Sequence, residues 1–203
     1  MDITVTHDLY GDFDDDEAVA RFPEVTDITD SHLREQVIQV IQDDIPNYFW
    51  VAPASSRNHQ PEHRSRHGLW LHIKRVCSMF EGFAPSLKKQ GHMSQQDVNE
   101  MRAACILHDM FKYGRPPTAV DSTVSNHDIL AANYIRNHTS LPDGVADAVE
   151  AHNGCWYVGS PPSTSAEQTM HMADLAGSRP YNDIAVKDMH PVLKTHFPAV
   201  GER

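Results

Sequence analysis

From Leu69 to Gly177 the apolar residues recur every three or four positions and never alternate in the manner of a strand. Leu69, Ile73, Val76, Cys77 and Phe80 form one stripe, the spacing of a helix that buries a single face. Ser94 with Asp97 has the form of a capping box and opens a second helix, on which Val98, Met101, Cys105 and His108 share a face. Ser125 with Asp128 opens a third. A fourth carries Val145, Ala148, Val149 and His152 and stops at Asn153-Gly154, a C-terminal signal. A fifth runs from about Ser165 to Gly177. Upstream, Leu33, Val37, Val40 and Ile41 predict a helix between Asp30 and Pro46. The pattern predicts an all-α fold, a helical bundle with an irregular N-terminal extension.

Two stretches lack this periodicity. Residues 46 to 66 hold three prolines among Ser, Asn, His and Arg, and read as a long irregular loop. Residues 1 to about 29 are acidic, with a run at Asp12 and Asp14 to Glu17, and read as a solvated terminus. The expected division is an N-terminal extension with one helix over 1–50 and the helical domain over 51–203.

Composition narrows the chemistry. The chain has 203 residues, 40% of them hydrophobic, enough for one domain with a real core. Its net charge of −11 argues against a broad basic surface for duplex nucleic acid. A local phosphate pocket stays open, because bound metal can supply the positive charge. Cys77, Cys105 and Cys155 form no CxxC pair, which suits a reduced compartment. The acidic first 17 residues do not resemble a secretory signal, and no run of about 18 apolar residues suggests a membrane span. The expected location is the cytoplasm. Fourteen histidines are about three times ordinary usage.

Position decides whether those histidines matter. His72 falls among Leu69, Ile73 and Val76, on the face that turns inward. His108 continues the stripe of Val98, Met101 and Cys105, and Asp109 follows at once. Asp174 sits four residues after Met170 and beside Ala173. A buried carboxylate without a partner costs several kcal/mol, so it demands a cation or strong hydrogen bonds. One metal held by His72, His108, Asp109 and Asp174 satisfies all four groups, and two nitrogen with two oxygen ligands suit iron, manganese, zinc or similar ions. The His-Asp doublet alone is weak evidence, since it also occurs at His7-Asp8 and His127-Asp128. The order of His72, His108-Asp109, His127, His152 and Asp174 is more specific.

This order resembles the HD-domain metallohydrolase superfamily. His72-Ile-Lys-Arg-Val76 looks like its first motif, and His108-Asp109-Met-Phe-Lys112 like its second in the HDxxK form. His127 and His152 fall where two-metal branches place extra ligands, and Asp174 looks like the terminal Asp. A narrower likeness is to YhaM-type 3′→5′ exoribonucleases. It rests on Pro53-Ala54-Ser55-Ser56…His59 before Gly68-Leu69 and His72, and on His152-Asn153-Gly154…Gly159-Ser160-Pro161. Asn153 replaces the second His of that family's HHG, and the N-terminal segment has no room for its nucleic-acid-binding domain. Asp174 followed by Arg179 is also similar to the end of small HD hydrolases that cleave dinucleoside polyphosphates.

The resemblance implies one or two divalent ions (Mn, Fe, Zn, Ni or Mg), with Asp109 as bridge, and a water activated as hydroxide to attack phosphorus. Lys112 is expected to stabilise phosphoryl charge. His59 is expected to act as a general acid tuned near neutrality. Ser55, Ser56 and Arg179 are expected to contact substrate, and His171 to orient Asp174. The expected substrate is a nucleotide or the 3′ end of a short single strand. Tyr48, Phe49 and Trp50, with Arg57, Arg64 and Arg66, are candidates for a stacking platform and basic groove for a strand. Three alternatives stay open: a (d)NTP or dinucleoside polyphosphate hydrolase, an HD-type mixed-valence di-iron oxygenase, and a non-catalytic protein that keeps metal for stability. A homo-oligomer is possible.

Overall fold

The computed structural model describes residues 14–54, 59–117, 123–156, 158–179, 186 and 188–200. The described residues are helical and contain no strand, in agreement with the all-α expectation. In chain order the helices are α1 (Asp15–Arg21), α2 (Ser31–Asp43), α3 (Tyr48–Val51), α4 (Gly68–Lys89), α5 (Gln95–Leu107), α6 (His127–His138), α7 (Asp143–Ala151), α8 (Ser165–Ser178) and α9 (Pro191–His196). Among the described residues, no helix is long and apolar enough to cross a membrane.

The bundle is centred on α4, which packs against α8 and α5, while α7 packs on α5 and α6. α5 opens as expected, with Ser94 and Asp97 in a reciprocal capping box. α8 opens on a second box, Thr164 with Glu167. α6 departs from expectation. Ser125 lies in an exposed turn, the helix starts at His127, and Asp128 is buried.

The solvated N-terminus is corrected for residues 14–29. Asp14 accepts from the Glu17 backbone N–H at 3.0 Å and caps α1, whose first turn holds Asp15, Asp16 and Glu17. The acidic run is thus a helix start, with negative charge at the positive end of the dipole. Ala18, Phe22, Val25 and Ile28 are fully buried at the spacing of one inward face. The described part of residues 1–50 therefore holds α1 and α3 besides the one helix expected there.

The anchor of this segment is ionic as well as apolar. Lys74 of α4 is fully buried and its ammonium pairs with Glu24. Burial raises the Glu24 pKa, against the pull of Lys74. Removing one member of a buried pair strands the other charge, at a cost of about 3–5 kcal/mol. Glu24→Ala is expected to lower stability by that amount in urea unfolding, and a loss below about 1 kcal/mol would show that Lys74 is solvated.

The described part of the segment before α4 is also more structured than its composition suggests. Tyr48, Phe49 and Trp50 are buried, with Trp50 edge-on to Trp70 at 5.2 Å between ring centroids. They form core, which corrects their reading as a stacking platform for single strands. Pro61–Arg64 forms a 3₁₀ turn pressed on the start of α4. A Cβ on Gly68 would stand 2.2 Å from the His63 carbonyl oxygen, so only glycine allows this approach.

Candidate metal centre

Five segments, α4 among them, converge on one centre. His72 lies in the second turn of α4, and Asp174 stands on α8, which packs against it. α5 ends at Leu107, so His108 is its C-cap and Asp109 begins a turn that runs through Lys112. The HDxxK motif thus lies beyond the helix rather than on its face, with the Lys112 N–H bonded to the Asp109 carbonyl at 3.0 Å. His127 is the first residue of α6, and His152 is the C-cap of α7. The negative ends of the α5 and α7 dipoles therefore face the centre and favour a cation there, against the positive end of α6, which starts at His127.

The two oxygens of Asp109 face different histidine pairs. Oδ2 lies 3.8 Å from His72 Nε2 and 3.7 Å from His108 Nε2. Oδ1 lies 3.1 Å from His127 Nε2 and 3.5 Å from His152 Nε2. Asp174 Oδ1 joins the first group, at 3.1 Å from His72 and 3.8 Å from His108. Ligand atoms of His72, His108 and Asp109, of His108, His152 and Asp174, and of Asp109, His127 and His152 each lie within 4.8 Å of one another. All six residues singled out from sequence as metal ligands are thus brought together.

The protonation pattern suits cations. The Nδ1 atoms of His108, His127 and His152 bond to the carbonyls of Cys105, Val124 and Val149, each three residues back. A carbonyl accepts only, so each Nδ1 carries the proton and each Nε2 offers its lone pair inward. Among the described residues, Nε2 of His72, His108 and His152 has no hydrogen bond of acceptable geometry. Buried lone pairs aimed at one point, beside two carboxylates, are the donor set of a divalent transition ion. The residues fit a metal.

The charges agree. Burial would raise the Asp109 pKa, yet Lys112 and the surrounding imidazoles hold it well below the usual carboxylate range. Asp174 is likewise depressed against its burial by His72 and His108. Burial pushes His108 down to about 3 and lowers His127. His152 alone is raised, because the negative charges of Asp109 and Asp174 beside it together outweigh burial.

Lys112, also nearly buried, places Nζ 3.0 Å from Asp109 Oδ1, 2.9 Å from Oδ2 and 3.3 Å from His127 Nε2. Its ammonium therefore sits at the second group of ligands. A cavity of about 320 Å³ opens over this centre, lined in part by His59, Lys112, His152, Trp156, Asp174 and Arg179. Arg179, expected to contact substrate, and Lys112, expected to stabilise phosphoryl charge, thus line one cavity.

Other expected residues fare differently. Ser55, Ser56 and Arg57 lie outside the described residues. His59 is buried with its ring 4.6 Å from that of His72, and burial pushes its pKa down to about 2. That corrects the expected tuning near neutrality, since a ring neutral at pH 7 has no extra proton to give. His171 bonds through Nδ1 to the His152 carbonyl rather than to Asp174. His67 is held by the Trp50 carbonyl at 2.6 Å and is the N-cap of α4. Arg64 and Arg66 are exposed, but the aromatic residues proposed to work with them are not.

Sequence reasoning missed a second layer. His63 is fully buried and its Nε2 is approached by Gln60 and by Arg75, each at 3.0 Å. Arg75 is itself buried and pairs with Glu62 at 2.7 Å. Asp128 is buried and accepts from Asn153 at 3.3 Å. The available signal was the spacing of His72 and Arg75, three apart on one helix face.

These burials set an acid limit on the metal-free fold. An unfolded histidine takes a proton near pH 6.5, whereas folded His108 and His59 refuse it until about pH 3 and 2. Stability from these groups is whole above pH 6.5 and is lost as pH falls from there toward 3. His152, with its raised pKa, opposes the trend but is one group against several. The urea midpoint of chelator-treated protein is expected to drop steadily between pH 7 and 5. A flat midpoint over that range would mean that the histidines are accessible to protons.

The HD-domain family profile matches residues 69–176, just over half of the chain, and that stretch includes all six converging residues. No curated protein and no solved structure matches the chain. The chain belongs to the HD-domain family, whose members are generally metal-dependent hydrolases.

Proposed function

We propose that this protein is a metal-dependent phosphohydrolase that cleaves a phosphoester of a nucleotide or of a single-stranded nucleic-acid 3′ end. The observation that carries the reading is the Asp109 carboxylate, whose two oxygens face separate histidine pairs beneath a cavity that also holds Lys112 and Arg179. His72, His108, Asp109 and Asp174 would hold one ion, and Asp109, His127 and His152 a second. Bound there, divalent ions supply Lewis acidity and lower the pKa of water toward neutrality.

The remaining steps belong to the protein. Arg179 offers a planar donor pair to phosphoryl oxygens. Lys112, anchored on Asp109, places positive charge where negative charge grows on phosphorus. His59, neutral and next to His72, closes one side of the cavity and limits water. Departure of the leaving oxygen then relies on water for its proton. The YhaM likeness supports a phosphodiester, while the size of the cavity and the charge of −11 support a single nucleotide unit over a long strand.

The test is a screen of protein purified without chelators. Nucleotides, dinucleoside polyphosphates, cyclic nucleotides and short labelled RNA and DNA are supplied with Mn²⁺, with Asp109→Ala as control. Phosphate or mononucleotide released by the wild type alone supports the reading. Two irons per chain with oxygen uptake and no ester turned over would replace it with the oxygenase alternative.

A further inference from the structure

We propose that Trp156 is a stacking wall for the nucleobase of the substrate, an inference that rests on the phosphohydrolase reading above. The chain has three tryptophans. Trp50 and Trp70 are 5% and 1% exposed, whereas Trp156 is 63% exposed and lines the cavity over the metal ligands. An indole left in water forgoes burial that the other two obtain, and large exposed aromatics beside a charged cleft mark recognition surfaces.

Its placement is built. Gly154 takes φ +59°, and a Cβ there would stand 2.7 Å from His171 Cε1, so the chain can pass this closely over His171 only with glycine. His171 is itself pinned by its bond to the His152 carbonyl. The Trp156 ring then lies 5.7 Å from the His171 ring, centroid to centroid, tilted by 34°. The segment that carries metal-centre residue His152 thus also delivers the indole, and their relative position is held by His171.

The chemistry of the cavity names the ligand class. Lys112 and Arg179 favour an anion. A flat apolar face opposes no charge and suits a flat aromatic group. A molecule with a phosphate and a planar ring is a nucleotide. The volume of about 320 Å³ is at the small end for ligand pockets, which suits one nucleotide unit, free or at a chain end. Base stacking on an aromatic side chain tolerates any base, because each has a π-face.

The test compares AMP with ribose 5-phosphate, which differ only by the base. A nucleoside monophosphate is the product of cleavage at a strand's 3′ end and the simplest nucleotide phosphoester, so it serves as the probe. Metal-replete wild type, Trp156→Ala and Trp156→Phe are titrated by calorimetry, with tryptophan emission of the wild type followed in parallel. AMP is expected to quench the emission and to bind about tenfold more tightly than ribose 5-phosphate. That preference is expected to vanish in Trp156→Ala and to persist in Trp156→Phe. Equal binding of both probes, binding of neither, or a preference that survives Trp156→Ala overturns the proposal. Should the preference follow Trp156 while no phosphoester is ever hydrolysed, the base wall stands and the hydrolase reading falls.

Discussion

Asp109→Ala is expected to abolish turnover, by at least about a thousandfold, and to strip the protein of its metal. A thousandfold corresponds to roughly 4 kcal/mol of transition-state stabilisation. The size follows from position, since this one carboxylate faces both histidine pairs and no other acid in the described residues does so. The substitution also removes the carboxylate that the nearly buried Lys112 bonds to, so some loss of stability accompanies it. Asp109→Asn separates the two effects, because it keeps the shape of the side chain while removing its charge. Its expected behaviour is a cooperative unfolding transition, a metal content well below that of wild type, and no turnover. Full metal content in Asp109→Asn would show that the carboxylate is not a ligand.

Lys112→Met is expected to lower kcat by about 10²–10³, the usual loss when one donor to a developing anion is removed. Metal binding is expected to move the other way. The ammonium lies within 3.0 Å of both Asp109 oxygens and 3.3 Å from His127, so it provides the positive charge beside the second ligand group. A second ion must share Asp109 with that charge. Removing it lets the second equivalent bind more tightly, which titration of chelator-treated protein with Mn²⁺ would detect. A lysine that only stabilises the fold would give neither a tighter second equivalent nor a selective loss in kcat. Both outcomes together are the signature of a charge that serves the phosphoryl group and competes with metal.

The centre was readable because its residues interrupt apolar stripes. His72 among Leu69, Ile73 and Val76, and His108 after Val98, Met101 and Cys105, lie where a polar side chain needs a reason to be. Asp174 was found in the same way, beside Met170 and Ala173. Two classes of residue escaped this logic. Buried cations such as Lys74 and Arg75 look like ordinary surface residues of a helix, and only distant partners make their burial affordable, Glu24 for one and His63 with Glu62 for the other.

Loops were the second blind spot. Tyr48, Phe49 and Trp50 stand in a segment rich in polar residues, and its composition suggested exposure. Tertiary packing against Phe22 and Trp70 put them in the core instead. The helix stop at Asn153-Gly154 was visible, but where the chain went next was not. That depended on the positive φ of Gly154 and on its contact with His171, 17 residues further on. The acidic start of α1 shows the same weakness in a milder form. A charge run is a solvated tail or a helix N-terminus according to whether an apolar face follows, and Ala18, Phe22 and Val25 supply one.

Whether metal drives hydrolysis is decided by titrating chelator-treated protein with Mn²⁺ while phosphate release is followed from the best substrate of the screen. Release is expected to be absent without metal and to rise with bound ion until two equivalents per chain are filled. Release that persists in excess chelator, or full occupancy of both sites with no phosphoester cleaved, would contradict that expectation.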